Sequence, residues 1–287
     1  MAPIRTSSAL FLLCLWSALY GQSLAQSQAA AAYVPVSSAC PAGTNLVRSA
    51  AVTYSGKVVQ TLSKQESDYV SKRETTVLPA AWSSYFDSVH SYARANNISS
   101  EIPSYISQIL TSRNNKAHPR LGLASSGGGY RAAIFGAGVL DALDGRNETS
   151  RQSGLGGLLQ SATYLTGLSG GSWLVLSLSQ AGFPQLPELI FGSSNSSGAN
   201  PSGWNTQFDI SQPGGANVVA TAQFISTVVQ EIAGKVLAGF PVTFTDFWSR
   251  ALARHFVTGT DGSSLSSFVS SSGTHGAGVT LSGLAEL

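Results

Sequence analysis

Ala162-Thr163-Tyr164-Leu165-Thr166-Gly167-Leu168-Ser169-Gly170-Gly171-Ser172-Trp173-Leu174-Val175-Leu176-Ser177-Leu178 decides the fold class of this chain. Residues 162–166 are β-branched and aromatic enough for a strand. Residues 173–178 are apolar and can open a buried helix. Between them lies a G-x-S-x-G pattern centred on Ser169. Strand, small-residue turn and helix together are the setting in which that pattern forms a nucleophile elbow. The glycines leave room beside the serine and tolerate the angles of a tight turn. A helix N-terminus behind Ser169 contributes partial positive charge, which favours an oxyanion nearby. In a chain with 30 Gly the pattern alone has low specificity, so its context matters.

A second glycine site upstream has the same grammar. Leu121-Gly122-Leu123-Ala124 reads as a short apolar strand, Ser125-Ser126-Gly127-Gly128-Gly129-Tyr130-Arg131-Ala132 as a glycine turn, and residues 133–143 as a helix. Acyl transfer needs a nucleophile and a place where a carbonyl oxygen can become negative. Consecutive glycine N–H groups at a helix N-terminus supply that place, and each such donor contributes about 3 kcal/mol to the transition state. Two other readings of Gly127 to Gly129 are a plain tight turn and a phosphate cradle. The sequence completes neither G-x-x-x-x-G-K-[ST] nor G-x-G-x-x-G here.

Ser126-Gly127-Gly128-Gly129-Tyr130-Arg131-Ala132, followed by Gly167-Leu168-Ser169-Gly170-Gly171-Ser172-Trp173, resembles the fungal phospholipase B (lysophospholipase) family. The cytosolic group-IV phospholipase catalytic domain is a more distant relative. Ala39-Cys40-Pro41, Leu46-Val47-Arg48 and Glu66-Ser67-Asp68-Tyr69 look like that family's opening, and Asp246-Phe247-Trp248-Ser249-Arg250-Ala251-Leu252 looks like a later segment. The resemblance covers residues 33–287. It implies a patatin-like α/β fold: a central, mostly parallel sheet with helices on both faces. It also implies a Ser–Asp dyad in which Ser169 is the nucleophile, Gly128 and Gly129 line the oxyanion hole, and Arg131 holds the lipid phosphate. A guanidinium suits phosphate oxygens, although by position alone Arg131 also reads as a surface residue on a first helical turn.

The chain departs from the family in one respect. The resemblance implies a downstream catalytic aspartate in an Asp-Gly-Gly segment, and no Asp-Gly-Gly occurs here; Asp261-Gly262-Ser263 is the nearest approach. The expectation is therefore an N-terminal portion of such an enzyme, incomplete at the C-terminus. The cysteines agree. Residues 1–25 read as a secretory signal peptide, with Arg5, an apolar core containing Cys14, and Ser23-Leu24-Ala25 as the cleavage site. That core is shorter than the roughly 20 residues of a membrane span. Cleavage leaves residues 26–287 with Cys40 alone, which in an oxidising compartment points to a missing partner, an intermolecular bridge or a free thiol.

Charged residues are only 10% of the chain and the net charge is +2, so nothing steers it toward nucleic acid. The 43% hydrophobic content is ample for a core. Asn97, Asn147 and Asn195 open N-x-[ST] sequons and are candidate glycosylation sites of a secreted chain. The expected partners are phospholipids and lysophospholipids at a membrane or micelle surface, with no protein partner indicated. The proposed chemistry needs no cofactor, and His90, His118, His255 and His275 show no metal-binding spacing, so no metal is expected. Extracellular localisation follows from the signal peptide; an anchor signal on a longer chain lies beyond the sequence.

The remainder reads as scaffold. Pro79 opens a helix with Trp82, Phe86, Val89 and Ala93 in phase. Pro103 can open another, with Ile102, Ile106, Ile109 and Leu110 on one face. Residues 191–215 read as a loop, an insertion or a lid. Residues 218–237 read as a helix with Val218, Ala222, Ile225, Val229, Ile232 and Val236 in phase. Trp173, Trp204 and Trp248 suit either core packing or a lipid interface, Trp204 best for the latter. Two rival readings remain: a Ser169–Asp246 or Asp261–His275 esterase in α/β-hydrolase order, and a lipid-binding fragment without its base.

Overall fold

Ser125 pairs with Gly167 across two parallel strands, and this register brings both glycine motifs together. The computed structural model describes Val34, Pro35, Ser37, Ala39, residues 51–99, Ile106, residues 118–193 and residues 203–256. The signal peptide, Cys40, Asn195, Asp261 and His275, and all of the Pro103 helix but Ile106, lie outside the described residues. The chain divides into two compact units, residues 38–176 and residues 177–287 with 1–37.

In the first unit, β1 (Ala51–Tyr54) and β2 (Lys57–Gln60) form an antiparallel hairpin. Its two turn residues, Ser55 and Gly56, both have positive φ (53° and 77°), the signature of a turn whose twist matches the strands. Helix α1 (Lys64–Lys72) follows, started by an N-cap: the Ser63 side chain accepts from the Glu66 N–H at 3.1 Å. A π-helical turn (Arg73–Val77) leads into α2 (Leu78–Ala95), with Pro79 in its first turn and Trp82 stacked on Phe86 at 5.8 Å. The hairpin and α1 were not anticipated, although valines flanking Ser-Gly and a Ser-x-x-Glu are signals for them.

β3 (Leu121–Ser125) then passes through α3 (Gly129–Leu143), α4 (Glu148–Gln152) and α5 (Leu158–Ser161) to β4 (Ala162–Gly167), parallel to β3. Parallel strands require such a crossover, and helices supply it here. The α/β class is thereby met; among the described residues the parallel sheet has two strands. The start of β4 is anchored from outside the sheet. The Tyr69 hydroxyl donates to the Thr163 carbonyl at 2.7 Å, and Arg73 donates to the carbonyls of Gln160 and Ala162 at 2.8 and 2.7 Å. Each bond satisfies a backbone carbonyl at the end of α5 or the start of β4. Helix α6 (Gly170–Gln180) follows β4, and the unit boundary falls within it.

The second unit contains α7 (Leu186–Phe191), α8 (Val218–Leu237) and α9 (Phe244–Phe256). Phe224, Val228 and Ala251 form its core, with Phe208, Ile210, Ala220 and Phe247 packed against them. The extent of α8 matches the sequence pattern, but its orientation does not. Of the expected row Val218, Ile225, Val229 and Val236 are exposed and only Ile232 is buried, and it is joined there by Phe224, Thr227, Val228 and Glu231. The buried face carries a charge because α9 supplies partners for it: Arg250 and Arg254 donate to Glu231 at 2.8 and 2.6 Å. A helix rich in apolar residues on two faces does not reveal its phase until that pairing is known.

Residues 203–205 also correct the sequence reading. The Trp204 N–H donates to the Ile190 carbonyl at 2.9 Å, and the Asn205 N–H to the His255 carbonyl at 3.0 Å. Trp204 is only 3% exposed and meets Phe256 edge-on at 4.9 Å, so it is a core residue and not an interfacial one.

Candidate active site

Both glycine loops leave the carboxyl ends of neighbouring parallel strands, the position at which open α/β sheets present ligand crevices. Ser126-Gly127-Gly128 follows β3 and opens α3; Leu168-Ser169 follows β4 and opens α6. The Leu168 N–H donates to the Ser125 carbonyl at 3.0 Å, locking one loop to the other. The Tyr130 and Trp173 rings meet edge-on at 5.6 Å, joining the first turns of the two helices.

Ser169 has φ +52°, a left-handed conformation that an L-residue adopts at a cost. What holds it there is the turn behind it. The Ser169 carbonyl accepts from the N–H groups of Ser172 (2.8 Å) and Trp173 (3.1 Å) and from the Ser172 hydroxyl (2.5 Å). The side chain is thereby presented outward, beside an exposed Leu168.

The loops approach so closely that several positions admit only glycine. A Cβ built on Gly127 would lie 2.9 Å from Ser169 Cβ and 3.5 Å from Ser169 Oγ. One built on Gly170 would collide with the Gly129 carbonyl, and one on Gly171 with the Ser125 carbonyl. A Cβ on Gly136 would sit 2.9 Å from both Leu174 Cδ2 and Ser125 Oγ, so α3 and α6 close over Ser125. Among the described residues, the N–H groups of Gly128, Gly129 and Gly170 donate to no backbone carbonyl. They lie at or beside helix starts, where such donors are left over. Gly127 and Gly170 lie within the two glycine motifs read from the sequence, but the close approach of each to the opposing loop was not anticipated there.

Residues 121–277 match the lysophospholipase catalytic domain family. The chain belongs to that family. It is 36% identical to lysophospholipase 2 of Saccharomyces cerevisiae over 78% of this chain and 29% of that protein. It is 34% identical to lysophospholipase 3 of Candida albicans over 89% of this chain and 29% of that protein. A lysophospholipase of Arthroderma benhamiae is 36% identical over 80% of this chain and 33% of its own length. The chain thus spans 29–33% of the length of these curated relatives. No solved structure matches it significantly.

Within this lysophospholipase-family domain, the loop that carries Gly128 and Gly129 lies against the Ser169 turn, Gly127 facing Ser169 and Gly129 facing Gly170. Arg131 is exposed on the first turn of α3 and forms no ion pair among the described residues. No carboxylate among the described residues hydrogen-bonds Ser169 Oγ. Several of those in the first unit are engaged elsewhere: Glu66 accepts from Tyr164, Asp141 from Asn147 and Asp144 from Arg146 and Gln160. Burial works to raise the Asp144 carboxyl, but the bonds from Arg146 and Gln160 outweigh it and hold it below the ordinary range. That group closes the far end of α3.

In the second unit, Asp246 is committed to structure. Its Oδ1 accepts from Lys235 Nζ at 2.6 Å and its Oδ2 from the Thr243 N–H at 2.8 Å. An aspartate fixed at both oxygens is a poor candidate for a relay acid. His255 is buried, with Nδ1 3.1 Å from the Ala251 carbonyl and Nε2 3.0 Å from the Phe208 carbonyl; burial pushes it below the usual histidine range. The two described sequons differ. Asn97 is exposed after α2, whereas Asn147 Nδ2 donates to Asp141 at 2.8 Å and Asn147 Oδ1 caps α4.

Proposed function

We propose that the chain carries the nucleophile and oxyanion site of a secreted lysophospholipase, or phospholipase B, that cleaves fatty acyl esters of glycerophospholipids. The observation that carries this reading is the Ser125–Gly167 register, which sets a strained Ser169 against the Gly127–Gly129 loop. Ser169 Oγ attacks the acyl carbonyl carbon. The N–H groups of Gly128 and Gly129, with that of Gly170, receive the developing oxyanion. The glycerol-side oxygen leaves with a proton, and water then cleaves the acyl-enzyme to fatty acid and free Ser169. Arg131 receives the phosphodiester. The fold is patatin-like, with the two parallel strands as part of a larger sheet.

The base is an aspartate by family resemblance. Among the described residues no carboxylate bonds Ser169 Oγ, and this favours one second reading, a polypeptide that binds lipid at this site without turning it over. Purified chain and Ser169→Ala, compared on lysophosphatidylcholine, separate the two. Ser169-dependent release of fatty acid supports the hydrolase. Equal lipid binding by both with no release establishes the binding-only form.

The lipid surface is met by neutral apolar side chains. Val218, Ile225, Val229 and Val236 on α8 and Phe244 and Trp248 on α9 are exposed, and the only charged residues of α8, Glu231 and Lys235, are paired inward or with Asp246. Such a surface suits a zwitterionic interface. Secretion is read from residues 1–25, and Asn97 is the favoured glycan site because its side chain is exposed whereas that of Asn147 is engaged with Asp141 and the α4 cap.

A further inference from the structure

The two parallel strands are not in simple register. Leu121 pairs with Ala162, but the next residue, Gly122, pairs with Tyr164, and the pairing then runs without interruption to Ser125 and Gly167. Thr163 is therefore one extra residue in β4, a bulge at the end of the strand opposite Ser169. Bulges re-aim the residues that follow them and gather beside active sites. With Thr163 drawn into the ladder, every later residue of β4 would shift by one place. Its side chains would face the other side of the sheet, and the Ser169 turn would slide by about 3.3 Å from its place against Gly127.

The bulge is gripped by side chains from outside the sheet. The Thr163 carbonyl accepts from the Tyr69 hydroxyl at 2.7 Å, and the Ala162 and Gln160 carbonyls accept from Arg73 Nη2 at 2.7 and 2.8 Å. Beyond the bulge, the Tyr164 hydroxyl donates to Glu66 at 3.1 Å, and its ring lies 6.3 Å from that of Tyr69. The Thr163 side chain is buried and its hydroxyl makes no hydrogen bond among the described residues, so the carbonyl is the group that is held. Glu74, next to Arg73, accepts at 2.6 Å from Nε of Arg120, the residue immediately before β3. Arg73 and Glu74 open the π-helical turn between α1 and α2, a geometry that recurs at functional sites. Adjacent residues of one turn thus hold the starts of both strands whose far ends carry the glycine loops.

We infer that Tyr69 and Arg73 are positioning residues for Ser169: by fixing the Thr163 bulge they set the β4 register that brings Ser169 against Gly127. Neither touches the reacting atoms; both act through β4. The inference rests on Ser169 being the nucleophile, and it extends the site to the opposite end of its strand. Glu74 contributes least, because Arg120 is 59% exposed and an exposed ion pair is weak.

The intact chain and its Tyr69→Phe, Arg73→Ala and Glu74→Gln variants are labelled with an alkyl fluorophosphonate over a range of concentrations, which separates reagent binding from the maximal rate of bond formation. Ser169 Oγ bonds to phosphorus, fluoride leaves and the hydroxyl proton passes to solvent. Misplacing a reacting group by about 1 Å costs on the order of a hundredfold, so Arg73→Ala lowers the maximal rate by roughly ten- to a hundredfold with the half-saturating concentration little changed. Tyr69→Phe lowers it less, and Glu74→Gln by about twofold at most. Ser88→Ala, which removes a bond from α2 to the Arg151 carbonyl in the same unit, leaves the rate unchanged. Melting curves confirm folding, and Tyr69→Phe, which loses one hydroxyl, carries the test where Arg73→Ala does not fold. A folded clamp variant that labels at the wild-type rate, or a loss matched by Ser88→Ala, overturns the inference.

Amide exchange at Leu168, whose N–H donates to the Ser125 carbonyl, keeps this result separate from the nucleophile reading. Tyr69→Phe and Arg73→Ala speed that exchange, and Ser88→Ala does not. If Ser169 of the wild-type chain takes no label, the nucleophile reading falls, while faster exchange in the two variants still supports the clamp as the device that sets the register. Unchanged exchange at Leu168 overturns the inference whatever the labelling.

Discussion

The junction around Ser169 and the α8–α9 pairing around Glu231 treat polar groups in opposite ways. At the junction, backbone meets backbone, the serine is exposed in a left-handed conformation, and three glycine N–H groups make no backbone bond among the described residues. Between α8 and α9, a carboxylate and two guanidiniums are buried and joined: Glu231 and Arg254 are 0% exposed and Arg250 4%, with the Arg254 guanidinium 5.2 Å from the centre of the Phe224 ring. One region leaves hydrogen-bonding capacity open and holds strain. The other uses its charges to fix a helix pair. The contrast teaches which polar groups are available for chemistry: those held by geometry but not consumed by partners.

Removing the carboxylate of the buried cluster breaks this comparison most severely. Glu231→Leu leaves two buried guanidiniums without their counter-charge and costs about 3–5 kcal/mol. Urea denaturation checks it, and a loss below about 1 kcal/mol would show that the cluster is not what fixes α8 against α9. Next is Gly171→Ala, whose Cβ would overlap the Ser125 carbonyl. It costs about 1–3 kcal/mol by overpacking. Gly138→Ala, in the same unit with nothing within 4 Å of its Cβ, gains about 0.5–1 kcal/mol by helix propensity. Equal melting shifts for the two would remove the close-approach account of the junction.

A smaller effect has the opposite sign. Ser169→Gly relieves the left-handed strain and stabilises the protein by about 1 kcal/mol, while removing the nucleophile. A destabilised Ser169→Gly protein would mean that the turn stores no strain at this residue. The smallest effect is on pH. Burial pushes His255 below the usual histidine range, with the Phe208 and Ala251 carbonyls and then Asp209 opposing the shift and Arg254 reinforcing it. The unfolded chain therefore binds the proton more tightly than the folded one. Stability from this site is complete above about pH 6.5 and is lost as pH falls below it toward the depressed folded value. Replacing His255 with Asn flattens that part of a stability-against-pH profile.

Much of the junction was legible because its rules are local. Strand, glycine turn and helix are written in consecutive residues at 121–143 and at 162–180, and both elbows formed where the pattern put them. That the two strands are neighbours in register was not written in either motif; it follows from a crossover through α3, α4 and α5. The face of α8 failed for a related reason. Periodicity selected Val218, Ile225 and Val229, but burial is decided by Arg250 and Arg254, which lie beyond the window of any helical pattern. Trp204 failed because its polar sequence neighbours concealed a backbone bond to Ile190 and a ring contact with Phe256.

The central claim is that Ser169 is the group made available for acyl chemistry by the two apposed glycine loops. Peptide mass spectrometry of the intact chain after exposure to an alkyl fluorophosphonate tests it most directly. A single adduct is expected on Ser169, absent from Ser169→Ala and reduced when Gly127→Ala displaces the opposing loop. An unmodified Ser169, or an adduct on Ser126 or Ser172 that persists in Ser169→Ala, would contradict it.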